Sequence, residues 1–297
     1  MDSLFGAAAL SAVADLELVS KRVVDGTIAG LHRSPFHGYS AEFSQYRHYR
    51  PGDDLKYVDW KLFARTDRLY TKQFRETTNL LAQIALDASA SMDYSGAAGV
   101  TKFQYARLLA AALAHLVSRQ GDAVGLVTYA DAIRQFLPSR GGQAHLRALL
   151  LALGRAEPSG GTNTAAALAR TIDLLKRRGL LVVVSDLYDE DEAVERAIMR
   201  AAHIGHETIV IHVLTREELS LPFRGDVEIE DPETGRRVMS NGAASARAYR
   251  AAFSAFLERW RERCATHGVD YVRVFTDMPL DAALRGYLRR RTMGAGG

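Results

Sequence analysis

The chain has 297 residues, 47% hydrophobic and 25% charged, with a formal net charge of +3 and a sequence pI near 9.0. This is ordinary globular composition, with room for one large domain or for a domain with an appended module. A single cysteine, Cys264, excludes an internal disulfide framework and a cysteine-based zinc site, and no apolar run approaches the length needed to cross a bilayer.

The amino terminus has no basic n-region. Its small-residue stretch, Gly6 to Val13, is followed at once by Asp15 and Glu17, so it makes a poor export signal. The expectation is a soluble, cytoplasmic protein. Residues 1–79 are dense in charge and aromatics and read as a helix plus a compact module packed on the main domain. The module centres on Arg47-His48-Tyr49-Arg50-Pro51-Gly52-Asp53-Asp54, followed by Asp59-Trp60-Lys61 and Ala64-Arg65. Pro51-Gly52 has type II turn chemistry, with proline setting one φ and glycine accepting the positive one. Arg47, Arg50 and Lys56 can form a network with Asp53, Asp54 and Asp59, and Tyr57 and Trp60 are candidate anchors. The plainer reading is a solvated loop with ion pairs of small worth; the interleaved aromatics favour a packed module. Leu69 to Phe74 reads as a strand.

From residue 80 to 291, short apolar runs alternate with amphipathic helical patterns. Strands are expected at Gln83–Leu86, Asp122–Tyr129, Ile133–Leu137, Leu180–Ser185, Thr208–Leu214 and Val269–Phe275. Helices are expected at Thr101–Arg119, Gln143–Leu153, Asn163–Arg178, Glu190–His203, Ala246–Thr266 and Leu280–Arg290. The alternation predicts an α/β domain with a doubly wound, mostly parallel sheet. Val227–Glu230 and Arg236–Met239, flanking Asp231-Pro232-Glu233-Thr234-Gly235, read as a β-hairpin inserted at about 227–239. Residues 292–297 read as a disordered tail. The Arg285–Arg291 patch reads as a solvated helix end rather than a nucleic-acid surface. His203 and His206 have a metal-like spacing, but Gly205 between them favours structural roles.

Three segments carry chemistry. Asp87-Ala88-Ser89-Ala90-Ser91 follows the apolar run Leu80–Leu86 and places a carboxylate and two hydroxyls at a strand's carboxyl edge, where open α/β sheets bind ligands. Such a weakly charged oxygen set suits magnesium or manganese. Gly160-Gly161-Thr162-Asn163-Thr164 opens a helix, and a threonine there can either bind a cation or cap the helix. Ser185-Asp186 follows a second apolar strand. Together they resemble the von Willebrand factor A domain and its metal-ion-dependent adhesion site, over roughly residues 80–290. That resemblance implies one Mg2+ or Mn2+ held by Asp87, Ser89, Ser91, Thr162 and Asp186, with a coordination position left for an Asp or Glu of a protein partner.

The pattern Arg47-x-Tyr49-x-Pro51-Gly52-Asp53-Asp54, then Asp59-Trp60-Lys61 and Ala64-Arg65, then the aspartate–serine motif, resembles the bacterial domain of unknown function 58 family from about Gly38 to Arg291. Resemblance to it implies a MoxR-type AAA+ ATPase as partner, in chaperone-like maturation or remodelling of proteins. The function expected is therefore a non-enzymatic, metal-dependent interaction module without nucleic-acid or membrane partners. The alternative is a metal-dependent hydrolase or phosphoryl-transfer enzyme. It lacks an acid two residues beyond Asp87, where Ser89 stands.

Overall fold

A computed structural model describes residues 16–25, 41–51, 53–54, 58–76, 80–161, 163–188, 192–222 and 225–284. They form two compact units, one of residues 1–33 with 81–297 and the other of residues 34–80. The sequence reading had grouped residues 1–79 together. However, helix α1, over 16–25, lies against the helix that ends at Arg119: its Ser20 hydroxyl meets His115 Nδ1 at 3.3 Å, and Asp25 pairs with Arg119.

The larger unit is an α/β domain around a six-stranded sheet. In chain order it holds β3 (Leu81–Asp87), α3 (Lys102–Arg119), β4 (Ala123–Tyr129), β5 (Ile133–Arg140), α4 (Gln143–Arg155), α5 (Thr164–Leu174), β6 (Leu180–Ser185), α6 (Glu192–His203), β7 (Glu207–Leu214), α7 (Arg216–Ser220), β8 (Asp226–Glu230), β9 (Arg237–Asn241), α8 (Gly242–Thr266) and β10 (Asp270–Phe275), followed by a turn of helix over 280–284. The sheet order is β10-β7-β6-β3-β4-β5. β5 runs antiparallel to β4, and the other pairs are parallel. The chain enters at the centre with β3, steps outward through β4 and β5, then returns to β6 on the other side of β3. That is the doubly wound order, and its switch point lies between β3 and β6.

Burial explains the composition of the central strands. All of Leu180–Ser185 is buried, as is Ala82–Asp87, as expected for parallel strands covered on both faces. On one face Ala85, Val127, Leu181, Val183 and Val210 pack with α5, α6, and Trp260 and Cys264 of α8. α3 covers β3 and β4 on the other, with Ala110, Ala111 and Ala112 fully buried. The lone thiol is thus a packed core group, and burial pushes it up to about 12. β8 and β9 form the separate expected hairpin, in register from Asp226↔Asn241 to Glu230↔Arg237. Among the described residues no helix is long and apolar enough to cross a membrane.

One expectation needs correction. The helix expected at Asn163–Arg178 ends at Leu174, because Leu175 turns extended (ψ 98°) and packs on the core, leaving the Lys176–Arg178 charges in the connection. Gly179 is therefore not a helix stop. A Cβ there would stand 2.2 Å from the Leu81 carbonyl oxygen, so its role is close approach of the β6 entry to β3. The helix expected to reach Arg290 is described only to residue 284, and the 292–297 tail lies outside the described residues.

The smaller unit pairs β1 (Ala41–His48) with β2 (Tyr70–Glu76) antiparallel, with α2 (Trp60–Thr66) between them in sequence. β1 escapes the sequence pattern because a register shift between Phe43 and Gln45 breaks its alternation.

Gly179→Ala is expected to lower stability by about 1–3 kcal/mol through overpacking. Gly141→Ala, where a Cβ meets nothing within 4 Å, is expected to stay within about 0.5 kcal/mol of wild type. Urea melts followed by circular dichroism compare the two.

Candidate functional site

The switch point brings three of the expected loops to one edge of the sheet. β3 ends at Asp87, whose Oδ1 accepts the Ser89 N–H at 2.9 Å and whose Oδ2 accepts the Ser185 hydroxyl of β6 at 2.6 Å. The Ser89 and Ser91 hydroxyls lie 3.0 Å apart, and both residues are buried. The third loop is fastened to the first: Ala90 N–H donates to Gly160 O at 3.1 Å, and Ser159 N–H to Ala88 O at 2.9 Å. Gly160 sits at φ +71°, which the absent Cβ permits.

Thr162 lies outside the described residues. Its neighbour Asn163 caps α5 by accepting from Ala166 N–H. Thr164 is thereby released from capping. It is fully buried, and its Oγ1 has no hydrogen-bond partner among the described residues.

Asp186 follows β6 and is buried. Its Oδ1 accepts the Tyr188 N–H at 3.2 Å, and its Oδ2 accepts Lys102 Nζ at 2.6 Å. The same ammonium donates to Glu218 Oε1 at 2.7 Å and lies 4.6 Å from the Tyr188 ring centroid. Between Asp186 and Tyr188, Leu187 adopts φ +56°, an uncommon conformation for a branched residue and a local cost where the chain leaves the sheet.

Sequence reading missed Lys102 and Glu218, and placed Ser185 in the third segment without a role of its own. Lys102 is 1% exposed and is the first residue of α3, after the Thr101 cap. A cation there opposes the helix dipole, and that was the available signal. Glu218 belongs to a Thr215–Glu218 capping box, a signature that also marks the unforeseen α7. Its Oε2 accepts from Thr215 N–H at 2.6 Å while Oε1 meets Lys102.

The electrostatics are unbalanced. Burial, with Asp186 alongside, pushes the Asp87 carboxyl up to about 7. Burial pulls Lys102 down, but Asp186 and Glu218 outweigh it and leave the ammonium firmly charged. His212, also buried, is held down at about 3 by burial, so it is neutral and adds no counter-charge. Asp186 and Glu218 thus share one buried ammonium, while Asp87 bonds to Ser89 and Ser185 instead. Among the described residues no three His, Cys, Asp or Glu side chains converge as a metal group; a cation here would rest on carboxylates and hydroxyls together. That donor set, the excess negative charge and the orphaned Thr164 hydroxyl fit a hard divalent cation.

In the smaller unit, Arg47 Nη2 spans both oxygens of Asp53 at 2.8 and 2.9 Å. Asp53 Oδ2 also accepts the Arg50 N–H at 2.8 Å and the Thr71 hydroxyl at 3.3 Å. Asp53 N–H closes back on Arg50 O at 3.0 Å, a turn with Pro51 second. The Arg50 backbone bond, then Arg47, hold the Asp53 carboxyl below its usual range. Tyr49 N–H donates to Leu69 O, and Asp54 is exposed. Asp59 caps α2 through Lys61 and Leu62 N–H and accepts the Tyr46 hydroxyl. Trp60 is not a buried anchor. It opens α2, is 55% exposed and meets Phe63 edge-on, because the Asp59 cap starts a helix whose first side chain points outward. Gly52, Lys56 and Tyr57 lie outside the described residues.

The family model described as "Protein of unknown function DUF58" matches residues 45–263. The uncharacterized protein Rv1480 of Mycobacterium tuberculosis is 32% identical over 229 residues, 76% of this chain and 71% of its own length. The uncharacterized protein YeaD of Bacillus subtilis is 26% identical over 133 residues, 44% of this chain and 30% of its own. Among solved structures, BatB from Bacteroides thetaiotaomicron is similar with a TM-score of 0.47 and 17% identity, covering 71% of this chain and 98% of that one. The SpRpn10 VWA domain is similar with a TM-score of 0.39 and 14% identity, covering 69% and 94%.

Lys102→Met is expected to cost about 3–5 kcal/mol in denaturant melts, since it strands two buried carboxylates. Adding Glu218→Gln is expected to restore part of that loss, a coupling read from the double-mutant cycle. Asp59→Ala, which removes the α2 cap, is expected to cost about 0.5–2 kcal/mol.

Proposed function

Because the chain belongs to the DUF58 family of proteins of unknown function, we propose its role from the site: a protein-interaction module whose grip on its partner depends on a divalent cation. One observation carries the reading. Asp87 and Asp186 stand at the ends of adjacent central strands, in a buried cluster with more carboxylate than counter-charge. Asp87, Ser89, Ser91 and Asp186, with a hydroxyl from the Thr162–Thr164 loop, would hold the ion. A bound Mg2+ or Mn2+ would supply an electrophilic position for a partner's Asp or Glu.

The chain's own groups set the terms of that contact. The Ser89 and Ser91 hydroxyls are neutral donors, so a bound cation keeps much of its charge for an outside carboxylate. The Ser185 hydroxyl and the Ser89 N–H fix the Asp87 rotamer. Lys102 engages one Asp186 oxygen and so limits how strongly Asp186 competes for a cation. Ser89, two residues beyond Asp87, offers no acid–base group, which supports a binding role over hydrolysis. The partner we propose is a MoxR-type AAA+ ATPase, with the chain acting as its adaptor or co-chaperone.

Isothermal titration with MgCl2 and MnCl2 tests the ion. Saturable heat is expected for wild type, and at least about a tenfold weaker response for Asp87→Ala and Asp186→Ala, as loss of a direct charged ligand implies. Identical heats in all three proteins reject the site. Turnover of a phosphate ester that disappears in Asp87→Asn would replace the binding reading with a catalytic one.

A further inference from the structure

A second cavity of interest lies at the edge of the sheet opposite the candidate ion site. α5 stops at Leu174, short of the Arg178 that its sequence pattern allowed. Where it stops, a cavity of about 600 Å3 lies between the α5–β6 connection and strands β3, β5 and β6. That volume is within the range of small-molecule sites. Part of its wall is apolar, with Leu81, Phe136 and Leu175.

The polar groups of the cavity select an occupant. Arg140, Lys176 and Arg177 line it, and among the described residues no Asp or Glu does. None of these three cations has an ion-pair partner among the described residues. Asp173, the acid of α5, is engaged by Arg200 at 2.9 Å. A helix end favours cations in its last turn, which accounts for basic residues after α5. It does not account for Arg140, which closes β5.

Two buried polar side chains face the same space. Gln83 is 1% exposed, a polar residue inside an apolar strand. It fits because Gly125 of β4 has no Cβ, which would stand 2.4 Å from Gln83 Oε1. Its amide donates one N–H to Leu137 O at 3.3 Å, and the second N–H is left to serve a ligand. His206 is 6% exposed, and its ring Nδ1 has no hydrogen-bond partner among the described residues. In either tautomer a phosphate can serve that nitrogen, through an oxygen that accepts or a hydroxyl that donates.

We infer that this cavity binds an organic phosphate monoester with an apolar body. The phosphate meets Arg140, Lys176 and Arg177; guanidinium groups pair with phosphate oxygens two at a time. The apolar body packs on Phe136 and Leu175. Three cations without an acid among them favour a phosphate, whose charge approaches −2, over a singly charged carboxylate.

Isothermal titration of the full chain with 1-naphthyl phosphate in EDTA, which keeps the ion site silent, tests this. Saturable heat is expected. Arg140→Glu and Arg177→Glu are each expected to weaken binding about tenfold or more, as loss of a charged hydrogen-bond partner implies. Arg250→Glu, at an exposed position of α8, is expected to leave it unchanged. 1-Naphthol, 1-naphthoate and inorganic phosphate are each expected to bind about tenfold or more weakly than the ester. Circular dichroism checks that the exposed substitutions leave the fold intact. No saturable heat, or binding that survives Arg140→Glu and Arg177→Glu or falls equally in Arg250→Glu, overturns the site. Equal affinity for 1-naphthol or 1-naphthoate overturns the choice of phosphate, and equal affinity for inorganic phosphate overturns the apolar body. All of these outcomes leave the metal reading standing.

Discussion

Buried negative charge at the meeting point of β3 and β6 is the constraint around which the larger unit is organised. Asp87 and Asp186 end the two central strands of an otherwise apolar sheet, and Glu218 approaches from α7. In a low-dielectric interior an unpaired carboxylate is costly, and it either gains a proton or gains a partner. Asp87 shows the first response, with its carboxyl pushed far above the usual range. Asp186 and Glu218 show the second, in their shared bond to Lys102.

Much of the surrounding chain serves to hold those groups. The Thr215 cap orients Glu218, so one carboxylate both starts a helix and receives the lysine. Glu217, its neighbour, accepts the Ala97 N–H at 2.9 Å and ties α7 to the segment that follows Ser91. Tyr249 of α8 donates to the Glu218 carbonyl. The loop after Asp87, the start of α3 and the α7–α8 region are therefore joined through consecutive glutamates. A change at Asp186 would be felt first at Lys102 and then along α7.

The sheet was legible in the sequence because its strands are short apolar runs separated by amphipathic helices. Asp87, Ser89, Ser91 and Asp186 were legible because the strand ends place them. The match over residues 45–263 agrees with the family that Arg47, Tyr49, Pro51, Asp53 and Asp59 suggested. Other features were hidden for physical reasons. β1 has a bulge that breaks its period of two. Lys102 stands at a helix start, and a sequence does not show that a helix end points into a core. Glu218 serves as a cap as well, so its contact with Lys102 leaves no separate mark in the sequence. Trp60 looked like an anchor, since aromatic character alone does not reveal which side of α2 it takes.

Stability by itself gives no reason for this arrangement. Replacing buried ion pairs by apolar groups of similar volume is often neutral or stabilising, and the sheet beside the site already has an apolar core. Yet four local costs coincide here: a lysine at the unfavourable end of a helix dipole, a carboxyl displaced from its normal titration range, a leucine in the left-handed region and a threonine hydroxyl with no partner among the described residues. Natural sequences depart from local consistency mainly at functional sites. All four departures flank the switch point of a doubly wound sheet, the place where such folds bind ligands. That coincidence, which sheet stability alone does not explain, is the ground for the recognition role proposed for the site.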